Sequence, residues 1–119
     1  GAVVESLEPG YCEVKLHDTR RLRNHLHSIH AMALANLGEM VTGLALVNGL
    51  PNDTRAILTG FSIDYLKKAR GTLLAQSRCC LPVNNDPDDL DVEGEIRDFD
   101  GSVVATVRAR WRIGPEPAA

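Results

Sequence analysis

The stretch AMALANLGEMVTGLALVNGLPN, residues 31–52, decides how this chain folds. Most of it reads as a buried helix. Ser28 is placed to cap its start, Gly49 stands at its end, and Pro51 prevents continuation. The result is a helix of about 20 residues, roughly 30 Å long. At 100° per residue, Ala33, Leu37, Met40, Val41, Leu44 and Val47 make one broad apolar face. Glu39 lies off that face, on a second stripe with Met32, Asn36, Gly43 and Leu46. It is also the only ionisable side chain between His30 and Asp53. A carboxylate in such surroundings needs a partner or a task. The partner would be one of the 13 Lys and Arg residues of the chain, or a second subunit. The task would be general-base chemistry, because desolvation raises a carboxylate's pKa toward neutrality.

The segments on either side read as strands. Tyr11 to His17 alternates, with Cys12, Val14 and Leu16 facing one way. Ala2 to Ser6 pairs with it across the Glu8-Pro9-Gly10 turn. After the helix come Arg55 to Lys67, with Ile57, Thr59, Phe61, Ile63 and Tyr65 on one face, and then Thr72 to Leu81. Pro82 to Asp91 reads as an acidic loop. Val92 to Asp98 and Ser102 to Ile113 form a hairpin around Phe99-Asp100-Gly101, and in the last strand Val103, Ala105, Val107, Ala109 and Trp111 point inward. Residues 1–113 make one domain, and 114–119 have the composition of a frayed tail. Two strands, one long helix and four strands do not alternate as a doubly wound sheet requires. The expected class is α+β, an antiparallel sheet curled around one central helix. One sheet leaves part of that helix and a sheet edge uncovered, so a homodimer, or a dimer of such dimers, completes it.

Composition bounds the function. Hydrophobic content of 44% and charged content of 24% are those of a globular domain. A net charge of −3 supplies no basic excess to offset phosphate repulsion, so no nucleic-acid partner is expected. Asn36, Gly38, Glu39, Gly43 and Asn48 interrupt the apolar run, so no membrane span is expected. Cys12, Cys79 and Cys80 form neither a disulfide framework nor a zinc pattern. With no basic-then-apolar leader, they indicate reduced thiols and a cytoplasmic setting. His25, His27 and His30 have no acid or thiol nearby to complete a metal set, and no cofactor is expected.

Asn24, then His30 six residues on, then Glu39 nine further, resembles in identity and spacing the hotdog-fold acyl-CoA thioesterases of the phenylacetate-degradation type. Their pattern is an Asn, a Gly, then His-Gly-Gly, and an Asp or Glu nine residues past the His. The run Phe61 to Gly71 is similar to the family's strand–turn–strand, and the likeness spans Val3 to Trp111. The chain departs from the pattern at His27, Ala31 and Met32, which stand where the family has Gly. Leu58 takes the position of a Ser or Asp found in many relatives, with Thr59 one residue off.

The resemblance implies hydrolysis of an acyl-CoA or acyl-carrier thioester. Glu39 would act as general base on water, or as nucleophile through an anhydride. Asn24 would orient that water or the substrate, and the Ala31 N–H would polarise the thioester oxygen. His30 joins the set as a cap or hydrogen-bond partner. Thr59 is the candidate second polar group. Lys67, Lys68 and Arg70, with Gly71 in their turn, would meet the phosphates of coenzyme A, or else form a solvated turn. The alternative is a module of the same fold that binds an acyl-CoA-type ligand without turning it over.

Overall fold

The computed structural model describes residues 2–17, 27–69 and 71–117. Seven elements run in the order β1 (Ala2–Glu8), β2 (Tyr11–Leu16), α1 (His27–Val47), β3 (Thr54–Tyr65), β4 (Leu73–Arg78), β5 (Asp88–Arg97) and β6 (Val103–Pro115). The strands form one antiparallel sheet in the order β1-β2-β4-β5-β6-β3, so β1 and β3 are its edges. All six strands contact α1, which lies across one face of the sheet. This is the expected architecture, with several boundaries moved.

The face of α1 turned to the sheet is Leu34, Leu37, Gly38, Val41, Thr42, Ala45 and Leu46, all buried. Met40 and Val47, expected on the broad apolar face, are exposed, and Leu46, expected on the Glu39 stripe, is fully buried. The reason is steric. Apolar residues surround this helix on most sides, so its pattern alone does not choose the inward face. Small side chains choose it, because they let the sheet come close. A Cβ on Gly38 would lie 2.6 Å from Val107 Cγ1 and 3.3 Å from Phe61 Cζ. Thr42 fits the same contact by donating its hydroxyl to the Gly38 carbonyl at 2.9 Å.

The helix ends where Gly49 was expected to stop it. A side chain there would run into the Leu81 methyls and reach 3.1 Å from Pro9 Cα. Gly10, at φ 79°, donates its N–H to the Ala45 carbonyl at 3.1 Å, which fastens the β1–β2 turn to α1.

Three strand readings change. A bulge between Leu58 and Gly60 resets the parity of β3, so Phe61, Ile63 and Tyr65 share a face with Ala109, Val107 and Ala105 of β6, but Ile57 faces outward opposite Arg112. β5 begins at Asp88, inside the expected acidic loop, because its acids are the outward residues of a strand. Asp89, Asp91 and Glu93 pair with Arg112, Arg110 and Arg108 at 3.3, 3.1 and 2.9 Å. β6 continues to Pro115, and the Glu116 N–H bonds the Asp53 carbonyl at 2.9 Å, so residues 114–116 are not a frayed end.

Candidate functional site

The side of α1 turned away from the sheet carries Met32, Asn36, Glu39, Met40 and Val47, all exposed, while half-buried Gly43 lies at its border, where a Cβ would come 3.0 Å from Trp111 Cζ2 of β6. Steps of three and four residues align Met32, Asn36, Glu39, Gly43 and Val47 in one stripe. Glu39 is its only charge. No ion pair among the described residues engages it. Thr42, the nearest hydroxyl along the helix, is committed to the Gly38 and Glu39 carbonyls at 2.9 and 3.1 Å.

Ala31 is the fifth residue of α1 rather than its first, because the helix begins at His27 ahead of the expected Ser28 cap. In an α-helix its N–H lies within the ladder, four residues on from the His27 carbonyl. The free donors are those of the first turn. The Ala31 carbonyl does take part in the site's frame: it accepts the Tyr65 hydroxyl at 2.9 Å. That bond fastens the end of β3 to the first half of α1, and the sequence pattern carried no signal for it.

Thr59 is corrected by the β3 bulge. It is the extra residue of that bulge, and its hydroxyl donates to the Arg110 carbonyl at 3.2 Å instead of facing α1. Lys67 is placed differently from a free phosphate contact. Its ammonium lies 3.4 Å from Oδ2 of Asp98, a carboxylate whose side chain is 3% exposed. Asp98 also accepts the N–H groups of Asp100 and Ser102, each at 3.3 Å. An Asp directly before a Phe-Asp-Gly turn is the sequence signal for that role. Lys68 is exposed. Gly71 sits at φ 72°, where a Cβ would meet Phe99 Cδ1 at 2.9 Å. Asn24 and Arg70, with Arg20, Arg21 and Arg23, lie outside the described residues, as does the side chain of His30.

The opposite face of the sheet carries a depression of about 670 Å³, lined by Tyr11, Gln76, Arg78, Glu93, Thr106 and Arg108 among others. Its walls satisfy one another. Glu13 accepts the Tyr11 hydroxyl at 2.7 Å and Gln76 at 3.1 Å, which holds its carboxyl below the usual range, while Arg78 lies 4.6 Å over the Tyr11 ring. Nothing there resembles a poised base. Burial pushes the Cys12 and Cys79 thiols up, with the neighbouring Cys80 adding to the effect on Cys79. Neither is an activated nucleophile. Among the described residues no group of three His, Cys, Asp or Glu side chains is placed to hold a metal. No described helix is long and apolar enough to cross a membrane.

Comparison with known proteins agrees with this fold. A family model described as a domain of unknown function, DUF4442, matches residues 1–113. No functionally curated protein matches. Among solved structures, a protein of unknown function and probable thioesterase from Pseudomonas aeruginosa superposes with a TM-score of 0.82 at 21% identity, covering 98% of this chain and 84% of that one. A Streptococcus mutans protein bound to acetyl-CoA superposes at 0.78 and 21%, covering 99% and 92%. A thioesterase from Staphylococcus aureus does so at 0.78 and 14%, covering 96% and 93%. The fold is therefore the hotdog fold.

Proposed function

We propose that this chain, which belongs to the DUF4442 family, hydrolyses acyl-CoA thioesters with Glu39 as the catalytic carboxylate. The observation that carries the reading is the position of Glu39: a lone carboxylate on the exposed side of the central helix, among Met32, Asn36 and Met40. The Streptococcus mutans neighbour supports the ligand class by its bound acetyl-CoA. The Staphylococcus aureus thioesterase supports the residue pattern. It was solved as two variants, one replacing a glutamine and the other a glutamate 15 residues further along. Asn24 and Glu39 stand at the same separation in this chain.

In the reaction, water adds to the thioester carbonyl, Glu39 takes its proton, and the carbon–sulfur bond breaks to release acid and free thiol. The same carboxylate attacking directly would form an anhydride as the carbon–sulfur bond breaks and the thiolate leaves, and water then opens the anhydride to release the acid. Asn24 orients the water or the carbonyl. The donor to the developing oxyanion is a first-turn N–H of α1, because Ala31 lies too far along the helix. A second copy of the chain covers the stripe, excludes water and supplies the desolvation that one sheet leaves out. One partner completes the cover, so the site requires a dimer and no larger assembly.

The commitment of the Thr59 hydroxyl to β6 favours one other reading, a module that binds acyl-CoA and does not turn it over. The experiment that separates the two is release of free thiol from a panel of acyl-CoA lengths, followed with a thiol reagent. Turnover on at least one length is expected. Tight CoA binding with no thiol release from any member would establish the binding module instead.

A further inference from the structure

Phe99 is 73% exposed, yet it sits on a turn braced by several hydrogen bonds. Gly101 donates its N–H to the Asp98 carbonyl at 3.0 Å, and Asp98 donates to the Ser102 carbonyl at 3.0 Å. Arg97 Nη1 reaches the Gly101 carbonyl at 2.8 Å. The Asp98 carboxylate anchors the tip from below through Lys67. One ring edge rests where a side chain at Gly71 would be, and the rest faces solvent. A loose tip could fold its ring onto apolar surface. This one holds it out. A rigid aromatic loses little conformational entropy when something stacks on it.

The chemistry of this turn and of the β3–β4 turn joined to it narrows what that something is. Lys68 is exposed and has no carboxylate at ion-pair distance among the described residues. Asp100, next to Phe99 in the chain, has its carboxylate fixed by the Ser102 N–H at 2.9 Å. An open aromatic face, a free ammonium and an oriented carboxylate suit a phosphorylated aminopurine: the base stacks, a phosphate meets the ammonium, and the exocyclic amine donates to the carboxylate. The corner also lies in line with the candidate site. Backbone N–H groups of Leu66 and Lys67 bond the Val104 carbonyl at 2.8 and 3.3 Å, which joins the turn after β3 to the β5–β6 hairpin. Tyr65 fastens the same end of β3 to Ala31. Ala31 precedes Glu39 by eight residues, about 12 Å along the helix. A pantetheine arm with its thioester at Glu39 leads toward this corner.

We propose that the β5–β6 tip and the β3–β4 turn dock the adenine nucleotide end of coenzyme A, with Phe99 as the platform for the base and Lys68 as a phosphate contact. The substrate is then a CoA thioester rather than a thioester on a carrier protein, whose phosphopantetheine bears no base. The direction of the arm rests on the Glu39 reading; the corner's chemistry does not.

Calorimetry on the intact protein, with free CoA and with pantetheine as probes, tests this without turnover. Phe99→Ala is expected to weaken CoA binding about five- to a hundredfold, the span of base–aromatic stacking, and to leave pantetheine binding unchanged. Phe99→Trp should retain CoA binding. Lys68→Glu should weaken CoA several-fold, an effect that shrinks as salt rises. CoA affinity within twofold of the parent for Phe99→Ala would overturn the proposal, as would an equal loss for pantetheine or no CoA binding by the parent at millimolar concentration. Because Phe99 is exposed, circular dichroism should show the variant folded. If binding behaves as expected and the parent hydrolyses nothing, the corner stands and the hydrolase reading falls. If Glu39→Gln abolishes hydrolysis and Phe99→Ala changes nothing, the reverse holds.

Discussion

Truncating Leu46 and Met40 in turn asks which side of α1 is the inside. Leu46 is 0% exposed and packs with Val92 and Ile113, while Met40 is 42% exposed in the single chain. Burying a Leu side chain fully is worth about 1.5–3 kcal/mol. The cavity left by its removal adds to that, so Leu46→Ala should cost about 2–5 kcal/mol. Against a domain stability of about 5–15 kcal/mol this is a large fraction. Met40→Ala leaves no cavity within the chain. Its cost should stay below about 1 kcal/mol in the isolated fold, and any excess measures what a second copy buries on the stripe. Urea unfolding at one fixed protein concentration, followed by circular dichroism, gives both values, and an unchanged denaturant slope would show that neither variant alters the unfolded state. Leu46→Ala costing less than about 1 kcal/mol, with Met40→Ala costing more, would mean that the helix is turned the other way and that the site is misplaced.

Sedimentation velocity at micromolar concentration should show a dimer or larger species and no monomer, because Met32, at 62% exposure, and its neighbours on the stripe need cover; a stable monomer would remove the subunit that the site requires. The depressed carboxyl of Glu13 contributes stability that is present above its ordinary value near 4.5 and lost as pH falls through its lower folded value. Tyr11→Phe removes the first cause of that depression, so the gap in urea midpoint between parent and variant should narrow from pH 7 to pH 3, and a constant gap would show that the bond does not matter. Exposed Cys80 should be alkylated by iodoacetamide in the native protein well before Cys12, which is buried and whose thiol burial pushes up; mass mapping that finds Cys12 modified first would contradict the assigned register of β2.

The order of elements along the chain and the long helix were largely legible in the sequence, because strand alternation and the long run around Glu39 each act over many residues; the order of strands within the sheet was not. Parity was less so. One bulge at Thr59 reverses the outward and inward positions upstream of it, and no residue type announces it, since Gly60 also suits a plain strand. The helix face was hidden for a different reason. When apolar residues fall on nearly every side, the inward one is chosen by close contacts at Gly38 and Gly43, which depend on where Val107 and Trp111 arrive from the far end of the chain. The start of β5 was masked by its acids, whose partners are arginines 15–23 residues away. At the site, Glu39 stood out because a single carboxylate in an apolar run needs a reason. Asp98 and Tyr65 did not, because their roles come from partners that only the fold brings near.

The most direct test of the central claim is the rate of thiol release from the best acyl-CoA substrate by the parent and by Glu39→Gln. The amide keeps the size and hydrogen-bonding shape of the side chain and removes the base. Because Glu39 is exposed and unpaired among the described residues, folding and dimer mass should not change. The account predicts a fall in kcat of about 10² or more, with CoA binding retained. Hydrolysis by Glu39→Gln at the parent's rate would contradict it.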